Sequence, residues 1–187
     1  SGVRPGYVLQ RLRQRGERAD VAGNLQRTLP DQKFSGTVHA VEHLPGVMDV
    51  EPQRAVPVRI RHGSRSRTLA ISGVPAAGRL SRVIDRHRGA ITVPASGVVL
   101  SKMLADRLGV SAGDILRIDV LEGRRPVVDV PVADLVDDSI GLQAYMRIDT
   151  LRRLLHEGDI VSGALLTLDP AATERFYREV KLIPAVA

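Results

Sequence analysis

The chain has 187 residues, 43% of them hydrophobic and 26% charged, with a net charge of +6; this is the balance of a folded chain rather than a disordered one, with enough length for one ordinary domain or two small lobes sharing a core. No stretch reaches the roughly 18 to 20 uninterrupted apolar residues that a membrane helix needs, and the basic opening SGVRPGYVLQRLRQRGERAD lacks the apolar centre of a signal peptide. Cysteine is absent, which excludes disulfides, thiolate nucleophiles and Cys-based zinc or iron–sulfur sites.

The chain opens on Ser1 rather than Met and reads as a piece cut from a longer protein. Residues 5–18 fit an amphipathic helix or helix extension, with Val8, Leu9 and Leu12 on one side and arginines around the rest. ADVAGNLQR (19–27) fits a short strand and TLPDQK a loop. A helix over 36–44 places Val38, Ala40, Val41 and Leu44 on one arc and His39, Glu42 and His43 on the opposite one. Pro45 and Gly46 end it, and VMDVEPQ follows as a strand. VPVRIR (56–61) alternates and returns through HGSR as a β-hairpin. GVVLSKMLADRLGV (97–110) reads as a helix, with Leu100, Met103, Leu104 and Leu108 at helical spacing and Gly109 just past its end. ILRIDVL (115–121) and VVDVPVADLV form a second hairpin around EGRRP, with one polar face. DTLRRLLHEG (149–158) fits a helix with Asp149 as N-cap, a Leu151, Leu154 and Leu155 core face and Gly158 as stop. IVSGALLTL (160–168) is an apolar strand; Asp169 and Pro170 open a last helix, on which Phe176 and Val180 share a face.

The expected architecture is α+β and two-lobed. A mixed βαβ/βα lobe built by both chain ends (residues 19–55 and 159–187) encloses a β-rich lobe over 56–158, a small antiparallel sheet or partial barrel. Residues 1–18 form a stalk or helix extension. Both chain ends then lie close together, as a domain inserted between two neighbouring membrane helices requires.

One catalytic pattern is present. His39, Glu42 and His43 spell H-x-x-E-H, the order in which inverted zinc peptidases place two imidazole ligands and a general base. The helix carrying it is short and stops at Pro45, and the histidines lie away from the apolar stripe, whereas a catalytic zinc needs a dry cleft. His62, His87 and His156 sit in turn-like or helix-end contexts and offer no evident third ligand. Asp137 and Asp138 are adjacent, so on a strand they point apart; a loop or cap role suits them better than acid–base work. Glu122, Arg124 and Arg125 read as a charged hairpin tip. No phosphate-binding loop, dinucleotide fingerprint or nucleophile elbow occurs.

Nearly all the basic charge is arginine, the lysines being Lys33, Lys102 and Lys181. Nucleic-acid binders pair such cations with aromatic platforms on which bases stack. The five aromatics (Tyr7, Phe34, Tyr145, Phe176, Tyr177) are scattered away from the arginine groups. Those groups, Arg11, Arg13 and Arg15, then Arg59, Arg61, Arg65 and Arg67, then Arg124 and Arg125, read as solvated faces. A basic nucleic-acid or anionic-lipid binding module and a zinc hydrolase are the alternatives to the reading that follows.

LPGVMDVEPQRAVPVRIRHGSRSRTLAISGV, SGVVLSKMLADRLGVSAGDILRIDVLEGRRPVVDVPVADLV, IGLQAYMRIDTLRRLL and VSGALLTLDP with VKLIPAVA, in this order and spacing, resemble the extracytoplasmic domain of FtsX/MacB-type ABC transporter permeases. The resemblance covers residues 19–187. Its most specific parts are the Leu-Pro-Gly-Val joint (44–47) and the helix–turn–strand over 99–114. The resemblance implies a periplasmic or extracytoplasmic domain anchored in the bacterial inner membrane, without catalytic residues, cofactor or metal. It also implies a cytoplasmic ABC ATPase reached through membrane helices, a second permease copy and an extracytoplasmic protein or lipid substrate; the scattered aromatics already argue for no nucleic acid. The lobes would move as semi-rigid bodies when ATP is hydrolysed.

Overall fold

The computed structural model describes residues 21–26, 35–138, 140–180 and 182; the expected stalk over 1–18, the loop over 28–33 and most of the closing VKLIPAVA lie outside the described residues. The first elements are β1 (Val21–Gln26), α1 (Ser35–Glu42), β2 (Val47–His62), β3 (Arg65–Val74), β4 (Val83–Asp85), β5 (Gly89–Ile91) and β6 (Val98–Ser101). There follow α2 (Lys102–Leu108), β7 (Ile115–Val120), β8 (Val127–Val136), β9 (Ala144–Arg147), α3 (Ile148–Leu155), β10 (Gly163–Leu168) and α4 (Thr173–Val180). The fold is α+β and strand-rich. The chain divides into two compact units, one of Ser1–Gln53 with Gly158–Ala187 and one of Arg54–Glu157.

In the first unit, β10 is the middle strand, with β1 and the first half of β2 antiparallel on either side. Leu166 and Leu168 of β10 pack with Val41, Leu44, Phe176 and Val180 in a small core that also takes in Val47 and Val50. The joint between α1 and β2 explains the Leu-Pro-Gly-Val sequence. The Val47 amide donates to the Leu44 carbonyl at 3.2 Å, which closes a turn with Pro45 at its second place and Gly46 at its third, φ 80°. That geometry favours proline then glycine. A Cβ on residue 46 would also collide with Ala172, so the position is doubly restricted. Asp169 caps the Pro170–Ala172 turn, accepting from the Ala171 amide at 2.9 Å, as its place before proline predicts.

The second unit is built on six strands in the order β2–β3–β9–β6–β8–β7. Strand β7 pairs back onto β2 from Val58↔Val120 to Arg61↔Arg117, so the six strands close into a barrel-like sheet. Inward residues alternate along three of its strands: Val56, Val58 and Ile60 on β2, Leu116 and Ile118 on β7, Val130 and Val132 on β8. Leu104 and Leu108 of α2 and Leu151 and Leu155 of α3 complete this core. Full burial of each such side chain contributes roughly 1.5–3 kcal/mol. The small β4–β5 hairpin packs Val83 with Val74, Val93, Val99 and Val136 in a separate cluster.

Several expectations change. VMDVEPQ and VPVRIR are not two strands but one, β2, sixteen residues long. Of the two forms expected for the β-rich part, the barrel is the one found, but it is mixed rather than antiparallel, because β3 pairs β9 and β6 pairs β8 in parallel. The expected helix over 97–110 starts only at Lys102. Before it, Val98–Ser101 is a strand buried at all four positions, and a short apolar run of that kind fits either state until its neighbours are known. Ser101 is the switch: its Oγ accepts from the Leu104 amide as N-cap and from the Gln143 amide at 3.0 Å. Gly109, at φ 68°, closes α2 as expected. Helix α3 starts before Asp149, whose side chain binds Arg147 instead of serving as N-cap, and it ends in a left-handed His156 rather than at Gly158.

Leu100 lies in the core while Met103 is 52% exposed, although the helical reading puts them on one face. Leu100→Ala is therefore expected to destabilise the chain by roughly 2–5 kcal/mol in denaturant unfolding, and Met103→Ala by less than about 0.5. Similar costs for both would restore the helix over 97–110.

Candidate functional site

On α1 the charged arc of the H-x-x-E-H motif faces solvent, with Val41 buried behind it. The His39 side chain is 73% exposed. Its Nδ1 lies 3.6 Å from a Glu42 oxygen, and the two imidazoles stack edge-on with centres 4.3 Å apart. His43 donates from Nδ1 to the His39 carbonyl at 2.7 Å. Among the described residues no three His, Cys, Asp or Glu side chains converge on one metal position. The three motif residues thus form an open surface group, whereas a hydrolytic zinc centre uses three ligands in an enclosed cleft.

One buried charge is Arg54, 5% exposed, on β2 where the second unit begins. Its guanidinium donates through Nε and Nη2 to both Glu157 oxygens, at 3.1 and 2.9 Å, and through Nη2 to Glu122. Nη1 donates to the Ala55 carbonyl at 3.1 Å. One planar fork thereby joins the first residue of the unit, its last residue and the β7–β8 turn. Arginine suits this role because its five donors fit two carboxylates at fixed angles. Of the expected hairpin tip, Glu122 is drawn into this cluster, and Arg124 and Arg125 remain exposed.

A second carboxylate cluster lies where the β4–β5 hairpin meets the end of β8. Asp85, 3% exposed, accepts from the Asp137, His87 and Arg88 amides at 2.8 to 2.9 Å. Arg88 bridges it to Asp134, donating at 3.2 and 2.8 Å. Those amides, Asp137's foremost, hold the Asp85 carboxyl well below the usual carboxylate range despite its burial. The adjacent Asp137 and Asp138 have different partners. Asp137 lies 3.4 Å from His87 and 3.7 Å from Lys102. Asp138 accepts from the Tyr145 hydroxyl at 2.9 Å, whose pKa is raised first by burial and then by that bond.

The Arg54 cluster and Asp85 were not among the sequence candidates. Arg54 and Glu157 are 103 positions apart, beyond any local pattern. Asp85 sits in a Gly-, Ala- and Arg-rich stretch without periodicity. Because the folded-state pKa of Asp85 is depressed, its contribution is present above the unfolded-chain value of about 3.9 and is lost as pH falls through the folded one. Thermal unfolding should show Asp85→Asn less stable than the wild type at pH 6, with the gap constant down to about pH 4 and narrowing below it. A gap that does not change with pH would contradict this.

No family model matches the chain, and no curated protein matches it. Solved structures do. The extracellular domain of the noncanonical ABC-type transporter YknZ from Gram-positive bacteria superposes with a TM-score of 0.53 at 13% identity, covering 81% of this chain and 82% of that one. The periplasmic region of MacB from Actinobacillus actinomycetemcomitans gives a TM-score of 0.47 at 13% identity, with 80% and 72% covered. The resemblance read from residues 19–187 therefore holds at the level of the fold, which is that of the extracellular domain of an ABC-type transporter.

Proposed function

We propose that this chain is the extracytoplasmic domain of an ABC transporter permease, that it has no catalytic function, and that it works by contact and movement. The fold shared with the YknZ extracellular domain over most of both chains carries this reading. The internal chemistry supports it. Arg54, Glu122 and Glu157 satisfy one another, and Asp85 is held ionised by backbone amides. A general acid at neutral pH needs the opposite shift.

In this reading residues 19–55 with 159–187 form one lobe and 56–158 an inserted lobe. Membrane helices before and after the chain link it to a cytoplasmic ATPase, and a second permease copy completes the transporter. ATP binding and hydrolysis inside the cell bias those helices, and the outer lobes follow as semi-rigid bodies. The domain's own task is to hold a protein or lipid substrate, or a partner protein, outside the membrane. No helix among the described residues is long and apolar enough to cross a membrane, so the reading places the anchor outside this stretch.

The full-length gene product tests it. Apolar segments of about 20 residues are expected on both sides of this stretch, and the protein should stay with the membrane pellet after carbonate extraction. Polar flanks and release into the supernatant would overturn the reading.

A further inference from the structure

The arginines of the β2–β3 hairpin, a solvated face by sequence alone, gather at one end of the barrel. The hairpin register sets Ile60 opposite Arg67, Arg61 opposite Ser66 and His62 opposite Arg65. Across β7, Arg59 stands opposite Asp119 and Arg61 opposite Arg117. The Arg65 guanidinium packs against Gly109, where a Cβ would otherwise lie, and this brings Arg107 in the last turn of α2 to the same end. His62 is eight residues along β2 from Arg54, roughly 26 Å at the rise of a strand. This is the far end of the barrel from the point where the chain enters and leaves the unit.

Two of these cations are neutralised in place, Arg61 by Asp119 at 2.7 Å and Arg117 by Asp129 at 3.3 Å. Arg59, Arg65, Arg67 and Arg107 have no carboxylate within 4.0 Å among the described residues; Arg67 donates only to the Ser66 carbonyl. Of the nearby acids, Asp114 is taken up by the Ser111 amide. An open groove of about 330 Å³ lies at the same hairpin, lined by Arg61, His62, Gly63, Ile115, Arg117 and Asp129 rather than by those four arginines. Ile115 is 55% exposed on its wall.

We propose that this end of the barrel docks an acidic polypeptide segment, whose carboxylates meet the unpaired guanidinium groups while an apolar side chain covers Ile115. Guanidinium forks fit carboxylates in bidentate geometry. The apolar wall favours a polypeptide over a phosphate polymer, and the six groove residues include no Phe, Tyr or Trp on which a base could stack. The proposal deepens the partner-contact reading above, but its test uses this chain alone, so either can fail without the other.

The probe is a short fluorescein-labelled peptide of Glu-Glu-Leu repeats, followed by anisotropy. Binding is expected at low salt and should weaken steeply as salt screens it. Replacing Arg59, Arg65 and Arg107 together by Ser should weaken binding roughly tenfold. A second triple variant, Arg82→Ser, Arg124→Ser and Arg125→Ser, removes the same charge elsewhere and should change affinity less than about twofold. Unfolding midpoints of both variants separate lost contacts from lost fold. Equal weakening in both, absence of binding at low salt, or tighter binding of a single-stranded oligonucleotide or of anionic vesicles than of the peptide would overturn the proposal. A parent protein without membrane spans would instead remove the permease reading and leave this surface standing.

Discussion

The guanidinium of Arg54 is the interaction on which the second unit depends. A chain that enters a barrel at residue 54 and leaves it at 157 must hold its two crossings together, or the unit opens at its neck. The nearly buried fork onto Glu157 and Glu122 does this with directional bonds, and also fixes the β7–β8 turn. Such clusters are asymmetric in energy. Forming one offsets the desolvation of three charges only partly, whereas removing a single member leaves an uncompensated charge and typically costs several kcal/mol. Its value lies in geometry, since it ties the first and last residues of the unit to the β7–β8 turn.

The same economy runs through the other charged groups. Asp85 is surrounded by amides, Asp137 and Asp138 serve different neighbours, and Asp149 is tied to Arg147. Groups paired in this way anchor loops to the barrel. The cations left over, Arg59, Arg65 and Arg107 among them, are exposed and concentrated at the hairpin end. The fold is the one shared with the extracellular domain of a transporter.

Much of the fold was legible because it is written locally. The Leu44–Val47 turn, the alternation on β2, β7 and β8, the Asp169–Pro170 cap and the Gly109 stop all follow from neighbours within a few residues. What the sequence hid is non-local. Barrel closure needs β7 to find β2 and β9 to lie parallel to β3, and neither pairing leaves a period in the chain. Val98–Ser101 looked helical because its apolar residues continue into those of α2; burial from both sides made it a strand. His156 takes a left-handed conformation where a nearby glycine was the natural guess. At the candidate sites, the exposed H-x-x-E-H arc was readable from its helical wheel, but Arg54 with Glu157 was not.

The absence of cysteine makes the central claim directly measurable. A single cysteine introduced at the exposed Arg124 of the otherwise cysteine-free domain, within the full-length protein in intact cells, reports which side of the membrane the domain occupies. In a host whose outer envelope the reagent can pass, a membrane-impermeant maleimide should label Arg124→Cys as completely before lysis as after. Labelling that appears only after the membrane is broken would place the domain in the cytoplasm and contradict the account.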